Sequence, residues 1–465
     1  MDTARDFRNL LAILILGLAL SAVCFAFTPL WQVPDEPQHY QLARLVADLG
    51  RWPTLSDVWG ALQLERDVYA SLVRHRFWEI RAHRTPPPSL WADTAPDVLL
   101  PPIAASPGYY VLAAGALRLV GGAGVDAQVR SLRGLSVLLG LAELFFVFQL
   151  ARAAFPREAH LQAAALCFVA SLPMRAYMTA GANSDTLAAL LGGAALCAMA
   201  AWVDGPLAPA RGLVLGLLVA ASLLTKRTTL FLVPTGALFL LLNRRAAASA
   251  GQRSAAWALG AGIAALGAGA LVAAWALARP PLAAPGQAWP YPGASPDGLL
   301  GIRAEWLSRL FSAEAWPPIA LLGYARALGI AFASFWGAFG WLTVRLGVGW
   351  YAALACLTAA ALAGLIRAFR RARRPLPRAQ VLVAGAALLA VLQIVGAAIA
   401  QGIPQQGRYL LPAIGPIACC LVAGWAYWLP SSARRRLPLL VGGALLLLNA
   451  VAWGVYIWPA FHGPA

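Results

Sequence analysis

Lysine is almost absent from this chain: of its 36 lysines and arginines, only Lys226 is a lysine. Charge of either sign is scarce, at 12% of residues against about a quarter in a soluble domain. The cysteines (Cys24, Cys167, Cys197, Cys356, Cys419 and Cys420) all fall in apolar runs, and none has a CxxC spacing in a polar loop. That excludes a disulfide framework and a cysteine-based metal site, and leaves buried, inert thiols. No glycine-rich phosphate loop, HExxH, GxSxG or Walker motif occurs, which argues against ATP as a substrate. Any reaction must then draw its energy from an activated lipid or an ion gradient. The formal net charge of +17 comes without an RNA- or DNA-binding motif, so nucleic acid is not an expected partner. Arginines holding short loops on the cytoplasmic side of a membrane account for it more simply.

What the chain has in abundance is apolar residues, 60% of the total. Many runs reach about 20 residues, the length that crosses a bilayer as a helix. The fold class is therefore an all-α polytopic membrane protein, and a soluble globular domain is excluded. Spans are expected at 9–30, 131–152, 159–179, 186–204, 211–225, 228–243, 255–278, 349–368, 379–400, 407–429 and 437–459. The first is too long for the apolar core of a signal peptide and reads as an anchored helix. Two further stretches, 108–120 and 319–343, are short or interrupted, and read as helices lying at or partly entering the outer interface. Counting both as spans raises the total from eleven to thirteen. Charge favours eleven with a cytoplasmic N-terminus, because the short inner loops then collect arginine and almost no acid.

That reading makes residues 1–465 a single integral domain with two large outer segments, 31–130 and 279–348. The first opens on Trp31-Gln-Val-Pro-Asp-Glu-Pro-Gln-His-Tyr40, where Asp35 and Glu36 follow a membrane exit between two prolines. Pro34 stiffens the backbone, and Pro37 suits the first turn of a helix carrying Glu36, His39 and Tyr40 on one face. A carboxylate at a dry margin can serve as general base, since desolvation raises its pKa. Asp35, Glu36 and His39 could also hold a divalent cation such as magnesium or manganese. The bland alternative is a solvated acidic turn capping an interfacial helix.

Three further polar patches face the same side. Asn183-Ser-Asp185 precedes a span, as an ordinary helix cap or a second contact in an outer cavity. Lys226-Arg227, flanked by threonines, splits a long apolar stretch and suits a lipid phosphate, or merely snorkels. Arg408-Tyr409 sits in another outer turn, where the guanidinium can grip a phosphate by paired hydrogen bonds or act as an interfacial anchor. Glu143 is a lone acid inside a span, with no assigned role.

Taken in order, VPDEPQHY after the first span, SPGYYVLAAGAL at 106–117, GANSDTLAALL at 181–191, LLTKRTTLFLVP at 223–234, SFWGAFGW at 334–341 and QGRYLLPA at 406–413 resemble the multi-spanning glycosyltransferases of the GT-C fold. The branch is the one containing protein O-mannosyltransferases, the aminoarabinose transferases of lipid A and a bacterial group of uncharacterised relatives. The resemblance implies a GT-C-like bundle in the bacterial inner membrane, with its active site on the extracytoplasmic side. It implies inverting transfer from a polyprenyl-phosphate sugar to a hydroxyl acceptor, with Asp35 as base and Glu36 assisting it or helping to hold a cation. Lys226 and Arg408 would stabilise the leaving lipid phosphate. The His-Pro-Pro that many relatives carry near SPGYY is missing, and no large soluble C-terminal domain is expected. A lipid-linked or cell-envelope glycan acceptor then fits better than a protein. A lipid or glycolipid flippase is the competing reading; its polar groups would lie near mid-membrane on broken helices.

Overall fold

The computed structural model describes residues 3–90, 101–205, 207–249, 260–262, 264–265, 267–269, 318–372, 375–401 and 405–463. Most of them are helical, since a chain this apolar can satisfy its backbone in a bilayer only by internal hydrogen bonding. α1 (Thr3–Phe27) is followed by a layer of short helices: α2 (Glu36–Leu49), α3 (Leu55–Gly60), α4 (Leu62–Arg74), α5 (Phe77–Ala82) and α6 (Gly108–Val120). The long helices begin with α7 (Val125–Ala154), then the pair α8 (Ala159–Ser171) and α9 (Pro173–Thr179), α10 (Asp185–Trp202), α11 (Pro209–Thr225) and α12 (Leu232–Ser249). After the undescribed stretch come α13 (Pro318–Trp336), a small antiparallel hairpin pairing Ala338–Phe339 with Val344–Arg345, α14 (Val348–Arg371) and α15 (Arg378–Gln401). A 3-10 turn, Gly407–Ala413, leads into α16 (Ile414–Trp428), α17 (Ser431–Arg434), α18 (Leu437–Val451), a π-helical turn at Ala452–Ile457 and α19 (Trp458–His462).

The chain is an all-α polytopic membrane protein. Among the described residues seven helices are long and apolar enough to cross a membrane, or eight if α8 and α9 count as one span. The expected span 159–179 is not straight: it bends by 57° between Ser171 and Pro173. Pro173 has no amide hydrogen to offer, and its ring excludes a carbonyl from the preceding turn. At the break, the carbonyl of Ser171 accepts from Asn449 Nδ2 of α18 at 2.7 Å. The expected span 211–225 forms as α11 but is only 17 residues long, and 228–243 starts late, at Leu232, behind a 3-10 turn. The expected span 255–278 is described only at 260–262, 264–265 and 267–269, where it is helical, and much of the 279–348 segment lies outside the described residues.

Two cores result. One lies among the long helices, where α7 packs on α10, α14 on α16, and α18 on α8. The other lies under the short helices and centres on Trp31, Tyr40, Trp78, Tyr109 and Tyr110. Glycines allow the motif segments to touch. A Cβ at Gly181 would stand 2.2 Å from a methyl of Val33, and one at Gly407 would stand 2.1 Å from the Ala331 carbonyl of α13. One at Gly108 would stand 2.7 Å from Thr225 Oγ1. VPDEPQHY is thereby pressed onto GANSD, SPGYY onto LLTKR, and QGRY onto SFWG.

Candidate active site

The turn after α1 carries two non-glycine residues in the left-handed region, Trp31 (φ 73°) and Asp35 (φ 64°). Such conformations are costly for a bulky residue and persist only where surrounding contacts impose them. Here the contacts come from Glu36, whose side chain is fully buried. Its Oε2 accepts from the Trp31 amide at 2.7 Å, and its Oε1 from the Ala182 amide at 3.0 Å. Arg133 of α7 clasps the same carboxylate through Nε and Nη2, each at 2.7 Å. It also donates to the carbonyls of Thr28 (2.7 Å) and Pro29 (2.9 Å). Trp341 Nε1 donates to the Trp31 carbonyl at 3.1 Å, and Tyr177 Oη to that of Gln32 at 2.7 Å. Glu36 is thus a structural clamp. Both of its oxygens are committed, which corrects the expectation that it assists catalysis or ligates a cation.

That clamp leaves Asp35 facing the other way. Asp35 begins α2, yet its side chain caps nothing. It accepts instead from Arg408 Nη2 in the Gly407–Ala413 turn. The Arg408 side chain is buried (1% exposed), while that of Asp35 keeps 29% of its surface open. Arg408 Nη1 stands 3.7 Å from Asp185 Oδ2, and Asp185 Oδ1 accepts from Lys226 Nζ at 2.7 Å. Lys226 Nζ and the Arg408 guanidinium each lie 5.3 Å from the centre of the Tyr409 ring, one cation–π contact apiece. Asp35, Arg408, Asp185 and Lys226 therefore form a row of alternating charge, drawn from the start of α2, the turn before α16, the start of α10 and the end of α11. All four helix ends meet at one end of the bundle.

The row is incompletely satisfied. Arg408 Nε and Nη1, Asp185 Oδ2 and His39 Nε2 are buried with no hydrogen-bond partner. Buried polar groups are seldom left this way unless something else completes them. His39 pairs through Nδ1 with Tyr110 Oη at 2.9 Å. Burial pushes its imidazole down to about 4, against the opposing pull of Asp35, so it is neutral at physiological pH. Burial by itself would raise the Asp35 carboxyl, but Arg408, with His39 and Lys226, outweighs it and holds the group below the usual carboxylate range. This reverses the expectation that desolvation dominates there.

Other expected site residues do not reach the row. Tyr40 Oη donates to Gln128 Oε1 at 2.7 Å, packing α2 on α7. Asn183 is buried and spent locally. Its Oδ1 accepts from the amides of Asp185 (3.0 Å) and Thr186 (3.3 Å), and its Nδ2 donates to Met178 and Gly181 carbonyls. The cap and the charge, alternatives in the sequence, belong to Asn183 and Asp185 respectively. Arg227 is exposed, one residue past Lys226, because the 3-10 turn rotates it outward. Asp35, Glu36 and His39 do not form a cation site, and among the described residues no group of three or more histidine, cysteine or acidic side chains is placed to hold one. Glu143 pairs with Arg175 Nε of α9 at 2.9 Å, and Arg175 Nη2 donates to the Gly140 carbonyl. Sequence reasoning missed Arg133 and Tyr110. Arg133 had a visible signal: an arginine inside the outer end of the expected span 131–152, where positive charge is not required.

A family model described as "Predicted membrane protein (DUF2142)" matches residues 18–415. No curated protein sequence matches the chain. Among solved structures it is similar to ArnT from Cupriavidus metallidurans bound to undecaprenyl phosphate. That match has a TM-score of 0.48 and 14% identity, over 94% of this chain and 70% of that one. It is also similar to the Archaeoglobus fulgidus oligosaccharyltransferase tethered to an acceptor peptide, with a TM-score of 0.48 and 13% identity over 97% of this chain. The apo form of that enzyme gives a TM-score of 0.47. This chain spans about half the length of the oligosaccharyltransferase, 54% in the tethered form. Both neighbours have the GT-C fold.

Proposed function

The chain belongs to the DUF2142 family of predicted membrane proteins, and we propose that it is an inverting glycosyltransferase taking its sugar from a polyprenyl-phosphate donor. The observation that carries this reading is the Asp35–Arg408–Asp185–Lys226 row: a buried guanidinium with unpartnered donors and a partly buried ammonium, beside a carboxylate that keeps access to solvent.

The donor phosphate binds at Lys226 and Arg408, where a fixed cationic pair fits a headgroup oxyanion. In the unliganded protein Arg408 is occupied by Asp35. A phosphate engaging Arg408 competes for that guanidinium, so Asp35 becomes more basic when the donor arrives. Asp35 then takes the proton of the acceptor hydroxyl. The acceptor oxygen forms a bond to the anomeric carbon on the face opposite the phosphate, and the bond from that carbon to the phosphate oxygen breaks. The lipid phosphate leaves with the electron pair, its growing charge met by Lys226 and Arg408. Glu36, held by Arg133, takes no part in these steps.

Arginine-rich short loops put the N-terminus on the cytoplasmic side of the plasma membrane. Asp35 then lies on the outer face, where a lipid-linked or cell-envelope glycan would present its hydroxyl. The test is mass spectrometry of lipids co-purifying with the wild type, Lys226→Ala and Asp35→Asn, alongside a transfer assay. Polyprenyl phosphate is expected in wild type and Asp35→Asn, and depleted in Lys226→Ala, with transfer lost in both variants. A wild type that retains no polyprenyl phosphate even when supplied with it would overturn the donor assignment.

A further inference from the structure

We propose that a second site, separate from the Asp35 row and independent of the transfer reading, binds the phosphate of a lipid headgroup at the C-terminal end of α1. A cavity of about 390 Å³ opens there. Arg74, His75 and Arg76 from the corner between α4 and α5, Arg130 and Arg133 from α7, and His462 from α19 line it, together with the backbone at Phe25–Leu30. No acidic side chain lines it. The acids that pair with three of these arginines stand behind them. Asp126 accepts from Arg74 Nη1 at 2.8 Å and bonds His75 Nε2 at 3.0 Å, Glu79 accepts from Arg76 Nε at 2.6 Å, and Glu36 is clasped by Arg133. Such backing carboxylates orient the cations without closing the cavity. Arg130 is exposed and has no ion-pair or hydrogen-bond partner among the described residues. It lies one helical turn before Arg133, so both point to the same face of α7. Four arginines thus stand against three carboxylates around one concave surface.

Depth argues for a lipid-borne anion. The apolar window of α1 ends at Phe27, and the last membrane-length helix ends at His462. The two ends are joined by a 2.9 Å hydrogen bond from His462 Nε2 to the Phe27 carbonyl. The cavity floor is therefore at the level where hydrocarbon gives way to headgroups, and arginines at that level attract anionic lipids. A guanidinium fork offers a phosphodiester two parallel hydrogen bonds, which a hydrated free anion can also accept, so the test must separate the two sources.

Native mass spectrometry of the full chain in detergent, titrated with dioleoylphosphatidylglycerol, reads the site directly. The wild type is expected to carry the lipid, and dioleoylglycerol, which lacks the phosphate, is expected not to bind. Arg130→Glu and the pair Arg74→Ala/Arg130→Ala should each lose the adduct by at least about five-fold, the effect expected from one or two arginines at a membrane surface. Both side chains are exposed, so folding is preserved, and Arg130→Lys should retain binding. Lys226→Ala should also retain it, which separates this site from the donor site. Displacement by inorganic phosphate alone would assign the site to the free anion. Wild-type adduct levels in both arginine variants, or equal binding of dioleoylglycerol, would overturn the proposal.

Discussion

Arg408 and Asp35, separated by 373 positions in the chain, form an ion pair in which the guanidinium is sealed and the carboxylate is partly open. The asymmetry matters. The sealed cation is reached only through the position Asp35 holds, so an anion that engages it displaces that carboxylate. The Asp35 carboxylate meanwhile keeps 29% of its surface open, as the base of the proposed reaction requires.

Asp35→Asn should abolish that exchange while preserving the shape of the site. Transfer is expected to fall by about 10²–10⁴-fold, the usual contribution of a positioned base. Polyprenyl phosphate binding should persist. Unchanged turnover in a transfer assay would remove Asp35 from the reaction.

Lys226→Met leaves Asp185 without its 2.7 Å partner and removes one of the two phosphate contacts. A charged hydrogen bond is worth about 1.5–3 kcal/mol, so donor affinity should fall by roughly ten- to a hundred-fold. Titration of polyprenyl phosphate, followed by intrinsic fluorescence, measures it. Affinity within two-fold of wild type would place the phosphate elsewhere.

The pH profile should separate free from donor-bound protein. With Arg408 on Asp35, the carboxyl is held below its usual range, so kcat/KM should show no acid limb from it above about pH 4. With the donor on Arg408, Asp35 is more basic, and the acid limb of kcat should lie at higher pH. Coincident limbs would contradict the competition. Stability carries its own signature. His39 is neutral in the fold down to about pH 4, whereas an unfolded imidazole protonates near 6.5. The unfolded state thus binds more protons in that window, and stability should fall as pH drops from 6.5 to 4. A melting series of His39→Gln should be flatter over the same range.

Glu36→Gln is predicted to act on folding. Breaking a buried ion pair from one side costs about 3–5 kcal/mol, because Arg133 is left charged and unmatched. Removing both in Glu36→Gln/Arg133→Met should cost less than the sum of the single changes, as a double-mutant cycle of melting temperatures in detergent would report. Additive losses would mean that the pair is not coupled.

Two glycine substitutions should behave differently for a steric reason. Gly181→Ala drives a Cβ into the side chain of Val33, while Gly407→Ala drives one into the α13 backbone at Ala331 and Phe335. Each should cost about 1–3 kcal/mol or more. Val33→Ala should rescue the first, since it removes the obstructing methyls, whereas nothing short of moving a helix relieves the second. Failure of that rescue in a thermal-shift assay would show that the close approach of VPDE to GANSD is not what Gly181 permits.

Apolar runs and sparse charge were sufficient, from sequence, to make this an all-helical membrane protein and to locate most of its long helices, because backbone in a bilayer has few other ways to satisfy itself. Four of the site residues, Asp35, Asp185, Lys226 and Arg408, were also legible, since charge beside an apolar run is rare enough to stand out. Their pairing was not. Which of two adjacent acids stays partly open and which holds the turn depends on Arg133, 97 positions beyond Glu36, arriving on one side and Arg408 on the other. The same holds for Asn183 against Asp185 and for Lys226 against Arg227. Neighbours in sequence point in different directions once a helix begins, and a one-residue step about a helix axis separates a buried contact from an exposed one. Only the tertiary structure brought the partners, and with them the sign of the Asp35 shift: burial raises a carboxyl, but the side chains that come with the burial decide where it rests.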